Sequence, residues 1–336
     1  MRTDIYEILD AISQTSDKKV LTTIVDVEGS AYKKAGSMML IDEKGKQTGL
    51  LSGGCLEKDL LGRSKDLMIN QASAIMTYDL SAEDDLSWGQ GIGCNGIIKV
   101  LIESISPLLT THLIKVRDYI QKGQSVTHVK RLTTDGVVTG YLFFTAASEY
   151  FGQWNGEVPN IQKLAVNKLT FSQEVIYYKQ EIPARPRLFI YGAGADAKPL
   201  AHLAFLAGYQ VIVADWRPGL CHKDHFPFSS QTEVVTPIEF IGKFTFSDLD
   251  SIVLMTHHFQ KDHELIRLLF KTRIGYLGIL GSKDRARRLF KGLALPSWVH
   301  FPVGIDIGAE GPQEIAISIM AQLIQIKAKR RDVSVV

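Results

Sequence analysis

The sequence predicts an α/β protein, with a mixed α+β N-terminal half followed by a doubly wound, parallel-sheet half. Three observations carry that reading. At 336 residues the chain is long for one hydrophobic core, so two domains are expected. Glu181-Ile182-Pro183-Ala184-Arg185-Pro186-Arg187 breaks the apolar pattern, and two prolines in so short a polar stretch favour an extended connector. Beyond that connector, short apolar runs alternate with helical periodicity, the rhythm of a parallel sheet covered by helices. The expected domains are residues 1–182 and 187–330.

In the first half, Ile5, Ile8, Leu9 and Ile12 recur at helical spacing and predict an amphipathic opening helix. Strands are expected over residues 20–27, 37–41 and 47–51, the last two joined by a turn at Glu43-Lys44-Gly45. Leu56, Leu60 and Leu61 then share a helical face. Strands at 74–80 and 97–102 flank a glycine-rich loop, residues 108–119 read as a helix, and three further strands are expected between Val126 and Tyr178. In the second half a strand at 188–191 runs into a glycine turn. A helix follows through Leu200, Leu203 and Leu206, and then a strand at 210–215. Strands at 251–255 and 275–280 alternate with helices at 263–270 and 283–291, and a last helix starts near Pro312.

A composition of 45% hydrophobic and 22% charged residues describes an ordinary soluble globular protein. The net charge of +2 argues against a nucleic-acid-binding surface. The one basic cluster, Lys327-Ala328-Lys329-Arg330-Arg331, suits the C-terminal end of a helix. The most apolar stretch, 141–147, is too short to span a bilayer, and no signal-type run follows Met1. Three separated cysteines make no disulfide framework, so a cytoplasmic protein with reduced thiols is expected.

Two glycine-rich loops each end on a cysteine: Ser52-Gly53-Gly54-Cys55 and Gly89-Gln90-Gly91-Ile92-Gly93-Cys94-Asn95-Gly96. Glycines let backbone approach a bound group closely and can leave N–H groups pointing at an anion. A thiol at the rim adds a soft ligand or nucleophile. The competing reading is a pair of tight turns with small buried cysteines. Cys221-His222 with His225 has loose metal-like spacing but lacks a second ligand pair.

The second half carries a dinucleotide fingerprint in context: strand, Gly192-Ala193-Gly194-Ala195-Asp196-Ala197, helix, strand, Asp215. Gly192 serves the turn, Gly194 admits a pyrophosphate, and Asp215 ends the second strand where a carboxylate binds ribose hydroxyls. Asp196 stands in the phosphate-facing turn, where an anion repels phosphate and can instead cap the helix. Thr256-His257-His258 follows a strand end, making His257 the candidate for proton handling or ligand contact, with Asp262 as an N-cap. Gly281-Ser282-Lys283-Asp284-Arg285 places a strand-end glycine, the Ser282 hydroxyl and a basic helix together, where backbone N–H groups and Lys283 or Arg285 can hold a phosphate; the competing reading is a solvated charged helix. Gly304-Ile305-Asp306-Ile307-Gly308-Ala309-Glu310 is a shaped loop carrying Asp306.

These motifs together resemble the XdhC/CoxI family. They are Glu28-Gly29-Ser30-Ala31, Gly53-Gly54-Cys55-Leu56-Glu57, Gly91-Ile92-Gly93-Cys94-Asn95-Gly96, Gly192-Ala193-Gly194, Thr256-His257, Gly278-Ile279-Leu280-Gly281-Ser282 and the loop from Gly304 to Glu310, in order over nearly the whole chain. Two departures stand out: Ser52 where the family usually has a third glycine, and Ala195 where histidine is common. The resemblance implies an accessory protein that binds molybdenum cofactor, as molybdopterin or its dinucleotide form. It also implies help in acquiring the terminal sulfido ligand and delivery to a xanthine-dehydrogenase-type apoenzyme, with a cysteine desulfurase as a further partner. On that reading Cys55 and Cys94 meet the molybdenum, Gly53, Gly54, Gly91 and Gly93 shape their loops, and Gly192, Gly194, Asp215, His257, Ser282 and Asp306 serve the phosphate or nucleotide end. The cofactor would then lie in the cleft between the domains. The rival readings are an NAD(P)-dependent oxidoreductase built on Gly192, Gly194 and Asp215, and a scaffold that docks desulfurase and apoenzyme without cargo. A homodimer is left open.

Overall fold

The computed structural model describes residues 3–54, 56–80, 95–147, 149–172 and 174–333. The chain divides into two compact units, Met1–Ala184 and Arg185–Val336.

Unit 1 opens with α1 (Thr3–Gln14), β1 (Lys19–Ser30), β2 (Met38–Asp42), β3 (Gln47–Gly49), α2 (Glu57–Asn70), β4 (Ser73–Asp79) and β5 (Asn95–Ser104). The strands form an antiparallel sheet in the order β3-β2-β1-β5-β4. Its alternation sorts side chains to two faces. Val20, Ile24, Met39 and Ile41 pack with Leu56, Leu60 and Met68 around α2, while Leu21, Met38 and Leu40 pack with α1. A second antiparallel sheet follows α3 (Pro107–Gln121). It is built from β6 (Val126–Thr133), β7 (Val138–Thr145), β8 (Tyr150–Gln153), β9 (Leu169–Ser172) and β10 (Val175–Ile182), in the order β8-β7-β6-β10-β9. Five strands thus replace the three expected here. β8 and β9 are four-residue edge strands, with Leu169 their one buried side chain, so they leave no alternating pattern to read.

Unit 2 contains β11 (Arg187–Tyr191), α4 (Ala197–Leu206), β12 (Gln210–Asp215), β13 (Gln231–Val234), α5 (Pro237–Lys243) and β14 (Ser251–Leu254). It continues with α6 (Phe259–Leu269), β15 (Tyr276–Ile279), α7 (Lys283–Leu289), β16 (Val299–His300) and α8 (Gly311–Val333). All six strands are parallel, in the order β13-β12-β11-β14-β15-β16. Numbered within the unit this is 3-2-1-4-5-6, the Rossmann order. Both faces are covered, as a parallel sheet requires. Leu188, Ile190, Val211 and Val213 face α4 and α8; Phe189, Tyr191, Ile212 and Ala214 face α5, α6 and α7.

β13, α5 and β16 lie outside the elements that the sequence predicts. β13 and β16 are short edge strands, but α5 carried a readable signal: Thr236 and Glu239 form a complete capping box with Pro237 at the first turn. α6 begins four residues earlier than expected because the His258 ring, not Asp262, caps it by accepting from Lys261 N–H at 3.3 Å.

Candidate functional site

In unit 1 the first glycine loop joins β3 to α2 and is organised by an acid that the sequence reading left without a role. The Glu57 carboxylate, buried at the start of α2, accepts from Ser52 N–H at 2.8 Å, from Leu51 N–H at 3.3 Å and from the Ser52 hydroxyl. Ser52 Oγ in turn accepts from the N–H groups of Gly54 and Leu56, each at 3.1 Å. Ser52, just ahead of the two glycines, is therefore the hub of a side-chain-closed turn. Gly53 and Gly54 are exposed, and Gly54 has φ +113°, a conformation that favours glycine, with no atom of the described residues within 4 Å of an added Cβ. Cys55, Gly91, Gly93 and Cys94, the thiol part of the expected site, lie outside the described residues. The second loop's flank is described: β5 begins with Asn95 opposite Ser30 and Gly96 opposite Gly29. A Cβ on Gly96 would stand 2.8 Å from Ser30 N, so this motif glycine serves close strand approach.

In unit 2 the strand order reverses between β11 and β14, and the loops after these strands meet there. Gly192 (φ +118°) lies against the other loop so tightly that a Cβ would sit 2.5 Å from Met255 O and 2.6 Å from Thr256 N. Beside Gly194, the place that a Cβ would take is occupied by Asp196 Oδ1 at 2.7 Å. Asp196 makes no side-chain cap bond to α4; its Oδ2 accepts from His257 Nε2–H at 2.7 Å. His257 is itself left-handed, with φ +56°.

Asp215 is fully buried, and both of its oxygens are engaged within the fold. Oδ2 accepts from Ala193 N–H at 2.7 Å and Arg217 Nη2 at 2.8 Å, and Oδ1 from Arg217 N and Nε, each at 2.9 Å. Burial alone would raise its pKa. The Arg217 side chain and the Ala193 and Arg217 N–H groups together outweigh that and hold it below the usual carboxylate range. Arg217 also lies over the Trp216 ring, 4.6 Å from its centroid. This acid thus braces the glycine turn from inside. A dinucleotide needs space above Gly194 and a carboxylate open to ribose hydroxyls, and the residues present supply neither.

Behind His257 stands an ion pair that sequence spacing could not reveal. Asp262 is buried, accepting from Thr256 Oγ1 at 2.5 Å and from Arg285 Nη2 at 2.6 Å. Burial pushes its carboxyl up, against the hydrogen bonds from Thr256 and Arg285. Ser282 caps α7, accepting from Arg285 N–H at 3.2 Å, and of the two basic residues expected at this loop Arg285 is taken up by Asp262. Asp306 Oδ1 accepts from Gly308 N–H at 3.4 Å within its own exposed loop. Cys221 is buried in the core beneath α4, donating towards Val213 O and Glu233 O, with its thiol pushed up by burial, which makes it a packing residue. Among the described residues no group of three or more His, Cys, Asp or Glu is placed to hold a metal ion, and no helix is long and apolar enough to cross a membrane.

Three family models match consecutive parts of the chain: the XdhC and CoxI family over residues 13–79, a BH1974-like central domain over 107–182, and the XdhC Rossmann domain over 188–323. The chain is 42% identical over 327 residues to a protein of Bacillus subtilis (strain 168) named as a probable xanthine dehydrogenase subunit, covering 96% of this chain and 98% of that one. It is 22% identical, over 93% of its length and 85% of the relative's, to the molybdenum cofactor insertion chaperone PaoD of Escherichia coli (strain K12). A crystal structure described as a xanthine dehydrogenase (BH1974) from Bacillus halodurans superposes with a TM-score of 0.87 at 44% identity, covering 97% of this chain and 96% of that one.

Proposed function

The chain belongs to the XdhC and CoxI family, and from that premise we propose that it is a molybdoenzyme accessory protein: a carrier that holds molybdenum cofactor and hands it to a xanthine-dehydrogenase-type apoenzyme. The observation that carries this reading is the likeness to a protein named as a molybdenum cofactor insertion chaperone, which extends over 93% of the chain and so takes in both units. The turn around Ser52 and Glu57 supports it. Its backbone is fixed by a buried carboxylate while its glycines stay exposed beside Cys55, which suits a site that must accept and release a bulky ligand.

In the finer proposal, Cys55 and Cys94 supply soft thiolate contacts to molybdenum, and the terminal sulfido ligand arrives from a cysteine desulfurase partner while the cofactor is held. The protein works in the cytoplasm, where both partners and reduced thiols are at hand. The alternative of an NAD(P)-dependent oxidoreductase is weakened by the engagement of buried Asp215 with Ala193 and of Asp196 with His257.

The test is a titration of the purified protein with molybdenum cofactor. Saturable binding at one cofactor per chain, weakened in Cys55→Ala or Cys94→Ala, is expected. Absence of binding removes the carrier reading, and unchanged binding in both variants removes the thiol role.

A further inference from the structure

The Rossmann strand order raises the expectation of a diphosphate at the N-terminus of α4. We propose that in this chain Asp196 is the specificity-determining residue of unit 2: its carboxylate takes the place of the ligand's phosphate, and its contact with His257 closes the switch point to diphosphate ligands.

The glycine turn of a dinucleotide site works by leaving its upper side bare, so that a pyrophosphate can approach the second glycine. Here Asp196 Oδ1 fills that side at Gly194. A fixed carboxylate meeting an incoming phosphate is a like-charge contact in a partly desolvated place, the arrangement by which proteins reject wrong partners. The Asp196 side chain is only 19% exposed and is tied to His257 on the facing loop.

That facing loop is itself held. Thr256, before His257, donates to buried Asp262, and His258, after it, donates its N–H to Thr256 Oγ1 at 3.0 Å and caps α6 through its ring. Asp262 is paired with Arg285 on α7. The contact between Asp196 and the His257 ring, itself 65% exposed, therefore joins the start of α4 to a loop whose backbone is held by α6 and α7. The second anchor of a dinucleotide is closed as well, since Asp215 has no exposed surface and bonds Ala193 N–H and Arg217.

The experiment measures binding of ADP, NAD+, inorganic pyrophosphate and adenosine, by calorimetry, to the full-length chain and to Asp196→Ala and Asp196→Asn. The second variant removes the charge but keeps the place beside Gly194 filled, so it remains readable if the alanine variant does not fold; a gain in both variants assigns the closure to charge, and a gain in Asp196→Ala alone assigns it to the filled place. Wild-type protein is expected to show no binding tighter than roughly millimolar to the phosphate-bearing probes. Loss of the charge should strengthen their binding by at least about tenfold and leave adenosine unaffected. Tight NAD+ binding by the wild type overturns the proposal. So does an equal gain for adenosine, or no gain for any probe in either variant.

Discussion

Two glycine turns, each joining a strand to a helix, lie in the two units of this chain and are finished in opposite ways. At Ser52-Gly53-Gly54 the acid of the motif, Glu57, turns inward, satisfies the backbone of its own loop and leaves the glycines open to solvent. At Gly192-Ala193-Gly194 one acid braces the turn from below and another covers it from above. A glycine motif specifies that backbone can be approached; the side chains around it decide whether a ligand or the protein itself does the approaching. The turn with the better-known signature is the closed one.

The largest effect that separates the two turns is expected from adding one methyl group to each. Gly192→Ala forces a Cβ into the backbone of Met255 and Thr256 at a positive φ, and should cost about 3–5 kcal/mol in urea-melt stability. Gly54→Ala meets none of the described residues and bears the φ penalty, so about 1 kcal/mol is expected. Equal losses would erase the contrast.

Next comes the clamp behind the closed turn. Arg285→Ala leaves Asp262 buried without its cation and should cost about 3 kcal/mol, with part of the loss recovered in the double variant that also carries Asp262→Asn. An additive double variant would show that the pair does not hold the loop. In the open turn, Glu57→Gln should cost about 1–2 kcal/mol and change the alkylation rate of Cys55 under native conditions, because the turn on either side of the thiol loses its acceptor. An unchanged rate would separate Glu57 from the thiol.

The smallest effect is one of pH. Asp215 is held below its ordinary value in the folded state, so its contribution to stability is present above about pH 4 and is lost as the pH falls through its lowered folded value. The stability difference between wild type and Asp215→Asn should therefore shrink in acid. Asp262 has the reverse sign: its raised carboxyl costs stability as the pH rises through the folded value.

The parallel half was legible because its apolar runs are central strands buried on both faces, and because Gly192 and Asp215 sit at fixed places in a strand–turn–helix–strand unit. Short edge strands such as β8 and β13 bury too little to leave a pattern. The site was legible by residue and less so by role. Asp215 stands where a ribose acid stands, but Arg217, two residues on, takes it up. Asp262 reads as a cap until its partner arrives from Arg285, far along the chain. Ser52 reads as a lapse from the glycine pattern until Glu57 turns back to meet it. If the protein carries a dinucleotide form of the cofactor, the closed turn requires its diphosphate to be held elsewhere.

The central claim is that this chain delivers its cargo through the open, thiol-bearing loop. It is tested most directly by handover: wild-type protein and Cys55→Ala, each incubated with molybdenum cofactor, are mixed with a cofactor-free xanthine-dehydrogenase-type apoenzyme, and xanthine oxidation is followed. The account predicts activation by the wild type and a markedly slower or smaller activation by Cys55→Ala. Activation no greater than that by free cofactor, or equal activation by the two proteins, would contradict it.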